Sequence, residues 1–231
     1  MPAQNRARAD TFTPAQRKQI DSAIHDYLVN HPAELLGAIQ AAEEKMKSEA
    51  HERAEKALVK RHRDVFDDPA TPVGGDPHGD VSLVEFFDYQ CPYCKEVEPA
   101  LEKLIAQDHR LRVVYKEFPV LGPVSVTAAR AALAAKKQGK YGTFHDAMMA
   151  AKGHITDDTV FAVAKSVGLD VGKLKHDMAD PEITRQIKGD LDLADQLDIT
   201  GTPGFIIGNE IVPGAVDLDT LKQLIADARE K

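Results

Sequence analysis

The chain has 231 residues, 43% of them apolar, which suffices for one sizeable domain plus an appendage. Its 29 basic residues are outnumbered by 37 acidic ones, for a net charge of −8. No basic excess is available to neutralise phosphates, which argues against nucleic acid as a partner. No apolar run reaches the roughly 18 residues a membrane span needs. The opening MPAQNRARAD also lacks the basic-then-apolar layout of a secretory signal.

Residues 14–29, PAQRKQIDSAIHDYLV, carry a helical pattern. Thr13 is placed to cap it, Pro14 suits the first turn, and Ile20, Ile24, Tyr27 and Leu28 share a face. A second helix is expected from Pro32 to about Phe66. Leu35, Ile39, Ala42 and Met46 step along it by four, three and four, and Ala50, Ala54, Ala57 and Leu58 continue it. Such a helix is either solvated and packed on the main domain or a thin seam for a partner helix. Residues 1–66 therefore read as an N-terminal helical stalk and an oligomerisation region. The next stretch, DDPATPVGGDPHGD at 67–80, has three prolines, three glycines and no apolar periodicity, and reads as a linker.

The main domain is expected over residues 81–231. VSLVEFF (81–87) has the continuous apolar character of a central strand covered on both faces. A helix follows from Pro92 to about Gln107, with Val97, Leu101, Leu104 and Ile105 on one side. LRVVYKEFP (111–119) is a second strand, which makes the three elements a parallel crossover unit. A helical insertion occupies about 124–197, with helices at Val124–Gln138, Tyr141–Lys152, Asp157–Val167, Val171–Met178 and Pro181–Leu197. GFIIGNEIV (204–212) is a hairpin turning at Gly208-Asn209, and Asp217 caps a terminal helix. The order predicts an α/β fold with a four-stranded mixed sheet.

Only two cysteines occur, Cys91 and Cys94, in the stretch DYQCPYCKEVEP. A lone CxxC pair supplies half the ligands of a structural zinc site, and no second CxxC or HxxxH pair completes one. The pair follows a central strand and opens a helix. There the unpaired N–H groups and the helix dipole favour a negative sulfur on Cys91. Pro92 fits the first turn, where an N–H has no intrahelical partner. Cys94, one turn on, reaches Cys91 but is better shielded. The spacing suits a disulfide that opens and closes by exchange, Cys91 attacking and Cys94 resolving.

Two further positions support that chemistry. In TGTPGFII (200–207), Pro203 precedes a strand among small residues, a setting for a cis peptide, and the Thr202 backbone is placed to pair with an extended substrate. Glu85 interrupts the apolar strand six residues before Cys91. It is either a buried acid of raised pKa that takes the proton of Cys94, or a glutamate at the rim. Tyr93, between the cysteines, either tunes the redox pair or merely packs.

Taken together, FFDYQCPYC, YKEFPVLGP and TGTPGFIIGNEIVPG, in this order across residues 81–231, resemble the bacterial DsbA-like thiol–disulfide oxidoreductases. The resemblance implies a thioredoxin fold with an inserted helical domain. It assigns Cys91 as nucleophile, Cys94 as resolving cysteine, Glu85 as buried acid and Thr202-Pro203 as the cis-proline loop. Pro92 and Tyr93 join that loop in contacting substrate. The helical stalk ahead of CPYC is similar to the suppressor-of-copper-sensitivity C branch of that family. That likeness implies a periplasmic homotrimer built on the N-terminal helices, with the signal cleaved or omitted; a chain starting at Met1 in the cell would instead be a cytosolic reductase. It further implies isomerase or reductase activity on misfolded or oxidised proteins, a membrane-bound thiol reductase as electron donor, and a link to copper tolerance. The disulfide of Cys91 and Cys94 is then the redox group and no separate cofactor is needed. Two alternatives stay open: a monomeric dithiol oxidase, and a Cu(I)-binding protein using both reduced thiols as soft ligands.

Overall fold

The computed structural model describes residues 12–230; the opening MPAQNRARAD lies outside them. The chain divides after His51 into two units. The first contains helix α1 (Pro14–Asn30) and the opening part of α2 (Pro32–Lys60). Thr13 caps α1 reciprocally: its hydroxyl accepts from the Gln16 N–H at 3.3 Å, and the Gln16 side chain accepts from the Thr13 N–H at 2.8 Å. Two donors that a helix start leaves open are thereby satisfied. At the other end Tyr27 stacks on His31, ring centroids 4.3 Å apart. α1 buries none of its residues. Ile20, Ile24, Tyr27 and Leu28 stay exposed, as do Leu35, Leu36, Ile39 and Met46 on α2.

The second unit is built on a five-stranded sheet. Its strands are β1 (Val73–Gly75), β2 (Val81–Phe87), β3 (Leu111–Glu117), β4 (Gly204–Ile207) and β5 (Glu210–Pro213), in the spatial order β1-β3-β2-β4-β5. β2 and β3 run parallel, joined by helix α4 (Pro92–Gln107), and the other pairings are antiparallel. β4 turns into β5 through Gly208-Asn209, as the sequence suggests.

One strand lies where a linker is expected. β1 pairs Val73–Gly75 with Val114–Arg112 at the sheet edge. Its glycines are there because the backbone runs hard against β3. A Cβ on Gly74 would sit 2.8 Å from the Tyr115 hydroxyl, and one on Gly75, at φ +67°, 2.3 Å from the Leu111 carbonyl. The Gly-Gly pair that reads as flexibility is a close approach.

The long second helix also differs from expectation. It breaks at Arg61, and a short helix α3 (His62–Phe66) follows. The break turns Val65 and Phe66 onto the sheet. With Leu58 they pack on Val84, Phe86, Val114 and Ile206, beside Leu193 and Leu197 at the end of helix α9 (Pro181–Gln196). Buried Lys116 on β3 fastens this corner. Its ammonium donates to the Asp64 carbonyl at 2.7 Å and the Thr71 hydroxyl at 2.9 Å, and lies 3.3 Å from the buried Asp190 carboxylate on α9. The last residues of the expected stalk thus cover one face of the sheet.

Against the other face pack α4 and the terminal helix α10 (Leu218–Glu230), through Leu101, Leu104, Leu221 and Ile225. Asp217 caps α10, its carboxylate accepting from the Thr220 N–H at 2.7 Å. Between β3 and β4 the insertion adds α5 (Pro123–Lys136), α6 (Tyr141–Ala150), α7 (Asp157–Ser166) and α8 (Val171–Asp177) before α9. Buried alanines at 128, 129, 131, 132, 134 and 135 on α5 let its neighbours approach closely.

Candidate active site

β2 ends at Phe87, and the chain turns through Asp88, Tyr89 and Gln90 into α4. Buried Asp88 shapes that turn. Its carboxylate accepts from the N–H of Gln90 at 2.8 Å and from the N–H groups of Val120 and Leu121, both at 2.9 Å. The Asp88 carbonyl accepts from the Cys91 N–H at 2.9 Å. One residue therefore joins the loop after β2 to the loop after β3.

Cys91 is the N-cap of α4 in an extended conformation, and Pro92 takes the first helical position. Both cysteines are free thiols. Cys91 Sγ donates to the Thr202 carbonyl at 3.2 Å, across 111 residues of sequence. The Thr202-Pro203 peptide is cis. Pro203 is buried, and its carbonyl accepts from the Gly214 N–H at 2.9 Å, which ties this loop to the end of β5. Cys94, one turn inside α4, is fully buried. Burial pushes its thiol well above the ordinary cysteine range, and Glu85 and Cys91 push it further.

Glu85 sits in the middle of β2, between Tyr115 of β3 and Phe205 of β4. Strand alternation puts it on the α4 side of the sheet with Leu83 and Phe87. Its side chain is completely buried and neither carboxylate oxygen has a hydrogen-bond partner. Burial, then the negative charges of Glu98, Cys91 and Glu117, raise its pKa well above the ordinary carboxylate range. The rim alternative for Glu85 is thus removed. Pro92 and Tyr93 are exposed, with Val120 and Leu121 adding further exposed apolar surface on the loop that Asp88 holds.

Cys91, Cys94, Glu85, Thr202 and Pro203 are therefore brought together from three parts of the chain, with Pro92 and Tyr93 at the margin. Other members escape the sequence reading. Lys95 reaches from α4 to the C-terminal end of α6, donating to the carbonyls of Met148, Met149 and Ala151 at 2.9, 3.3 and 2.8 Å. Burial lowers its pKa, while Cys94 acts the other way. Buried Glu98 follows Cys94 by one helical turn, a spacing legible in the sequence. Buried Glu117 accepts from Tyr141 at 2.8 Å and Tyr89 at 3.3 Å.

Residues 82–226 match the DSBA-like thioredoxin domain. The chain belongs to the DsbA-like thioredoxin family. Among solved structures of this DsbA-like type, a thioredoxin-like oxidoreductase from Silicibacter pomeroyi is 44% identical with a TM-score of 0.72, over 73% of this chain and 98% of that one. A linker-deletion mutant of Proteus mirabilis ScsC is 29% identical with a TM-score of 0.74, over 95% of this chain and 98% of that one. The DsbA-like chain is also 30% identical, over 158 residues, to a protein of Salinispora arenicola named as a Na(+)/H(+) antiporter, NhaA 1. That match takes in 68% of this chain and 24% of the other, so the chain spans about a quarter of the curated relative's length.

In chemical terms the arrangement sets one sulfur at a helix start, a second one turn away in the core, and a buried carboxyl of raised pKa near them. Among the described residues, no helix is long and apolar enough to cross a membrane.

Proposed function

We propose that the protein is a thiol–disulfide oxidoreductase acting on protein substrates, working as a disulfide isomerase or reductase. The observation that carries this reading is the 3.2 Å contact between Cys91 Sγ and the carbonyl before Pro203, with Cys94 fully buried one turn inside the same helix. The outer sulfur is thereby placed beside a backbone that an extended substrate can align with, and the inner one is screened from it.

The Cys91 thiolate attacks one sulfur of a substrate disulfide. An S–S bond forms to Cys91, the substrate S–S bond breaks, and the departing substrate sulfur leaves as a thiolate. In that mixed disulfide Cys91 carries no charge, which removes one of the influences that hold Glu85 protonated. Glu85 then passes its proton to the departing substrate thiolate, and the carboxylate left behind takes the proton of Cys94. The Cys94 thiolate attacks Cys91, the mixed disulfide breaks, and the substrate leaves reduced. When a second substrate thiol attacks first, the disulfide is instead rearranged and Cys91 is regenerated. Net reduction leaves a Cys91–Cys94 disulfide that needs a thiol donor, for which a membrane-bound reductase facing the periplasm is the proposed source.

The isomerase direction draws support from the exposed apolar set of the first unit, Ile20, Ile24, Tyr27, Leu28, Leu35 and Ile39. Such a stripe fits self-association, proposed here as a trimer that presents several cysteine pairs to one substrate. The adjacent sulfurs of Cys91 and Cys94 carry a second reading, as a soft donor pair for Cu(I). Titrating the reduced protein with Cu(I) and counting the accessible thiols tests it, since unchanged reactivity removes it.

Incubation with a protein of scrambled disulfides tests the main reading. The native chain restores the substrate's activity, and Cys94→Ser accumulates a mixed disulfide through Cys91. Absence of that adduct, with scrambled substrate left unrefolded, overturns it. For assembly, light scattering should show an oligomer for the full chain and a monomer for residues 52–231; a monomeric full chain refutes the trimer and leaves a dithiol oxidase as the alternative.

A further inference from the structure

Behind the cysteine pair lies a second group of side chains that the exchange chemistry does not use. Glu98 on α4, His145 and Asp146 on α6 each present one donor atom, all within 4.8 Å of one another. His145 is wholly buried, enclosed by the rings of Phe87, Tyr89, Tyr115 and Tyr141. Its Nδ1 is 3.1 Å from the Tyr89 hydroxyl, which itself donates to Glu117 at 3.3 Å. With its own proton committed to Glu117, that hydroxyl receives one from Nδ1. Nε2 then keeps its lone pair.

Nε2 has no hydrogen-bond partner, although it is buried. It points to Glu98, whose Oε1 is 3.5 Å away and whose buried Oε2 is also without a partner. Orphaned buried polar atoms of this kind are rare and call for a ligand or an ion. A separation near 3.5 Å is also what two ligands show when they share a tetrahedral ion at about 2.0–2.1 Å each. Asp146, the third donor, is exposed.

We propose that Glu98, His145 and Asp146 form a binding site for a divalent cation, zinc by preference. One imidazole and two carboxylates suit a borderline ion over a soft one, which distinguishes this site from the sulfur pair. Three protein ligands leave a fourth position for water. The Tyr89 hydroxyl serves as the outer partner that fixes the imidazole ring. A bound ion clasps α4, whose N-cap is Cys91, to α6 of the insertion.

The test uses the tag-free full chain with Cys91→Ser and Cys94→Ser, so that no thiol competes and the result does not depend on the disulfide reading. Metal-stripped protein is titrated with Co²⁺, followed by visible absorption, then with Zn²⁺ as competitor. The expected result is a single equivalent of cobalt with a visible band, displaced by zinc. Asp146→Asn alters an exposed residue, so the fold survives, and should weaken binding at least about tenfold. Tyr89→Phe, which loosens the ring, should weaken it by about ten- to a hundredfold. No band at stoichiometric cobalt, or affinity unchanged by Asp146→Asn in a folded protein, overturns the proposal.

Discussion

The two units distribute their side chains in opposite ways. The first leaves Ile20, Ile24, Tyr27, Leu28, Leu35 and Ile39 on the surface and buries nothing along α1. The second places Glu85, Glu98, Glu117, Lys116, His145 and Asp190 inside. Apolar groups in water are stabilised by covering them, and carboxylates in a core by keeping them protonated or paired. The first unit therefore leaves apolar surface still to be covered, while the second holds titratable groups away from water. Each unit is marked by what it puts in the unfavourable place.

The largest effect expected of any change falls on the reactive side. Cys91→Ser should cut disulfide exchange on the order of a thousandfold or more while leaving oligomer size intact. If exchange survived, the second unit would not be the reactive one and the contrast would fail. Truncations of apolar residues separate the units next. Phe66→Ala should lower stability to denaturant by about 3–5 kcal/mol because it empties the sheet's covered face. Ile24→Ala should leave the monomer's stability nearly unchanged and weaken self-association, seen as a concentration-dependent mass by light scattering.

Proton storage gives the third expectation. Glu85 has a folded-state pKa raised above its unfolded one, chiefly by burial. Between those two values the folded chain holds the extra proton, so stability falls as pH rises. Glu85→Gln should remove that fall. Its stability relative to the native chain should grow from pH 5 towards pH 8, with a limiting slope of about 1.4 kcal/mol per pH unit in denaturant melts. A flat difference would mean that Glu85 is not held protonated. The smallest effect belongs to the first unit again: Thr13→Ala should cost about 1 kcal/mol of helix stability, read as faster amide exchange at the start of α1. No change there would show that α1 is held by something other than its own cap.

Much of this was legible from residue order because local rules and chain topology agree. The strand at 81–87, the proline that opens α4, the Gly208-Asn209 turn and the Asp217 cap lie where pattern and turn chemistry place them. Gly74 and Gly75 misled for a physical reason: a glycine needed for close backbone approach looks the same in sequence as one needed for freedom. The break at Arg61 was hidden because nothing local stops the helix there; the sheet's demand for Val65 and Phe66 does. In the site, the cysteines and Pro203 carry local signatures. Lys95, Glu98 and His145 acquire meaning only through partners about fifty residues away, which periodicity cannot reveal.

Asp88 has a mechanical consequence. Because a single carboxylate grips three amides, two on the strand-exit loop bearing Val120 and Leu121 and one on the turn leading to the reactive sulfur, neither segment can shift alone. A load placed on the apolar tip of the first loop would reach, through that one carboxylate, the turn that sets the direction of Cys91.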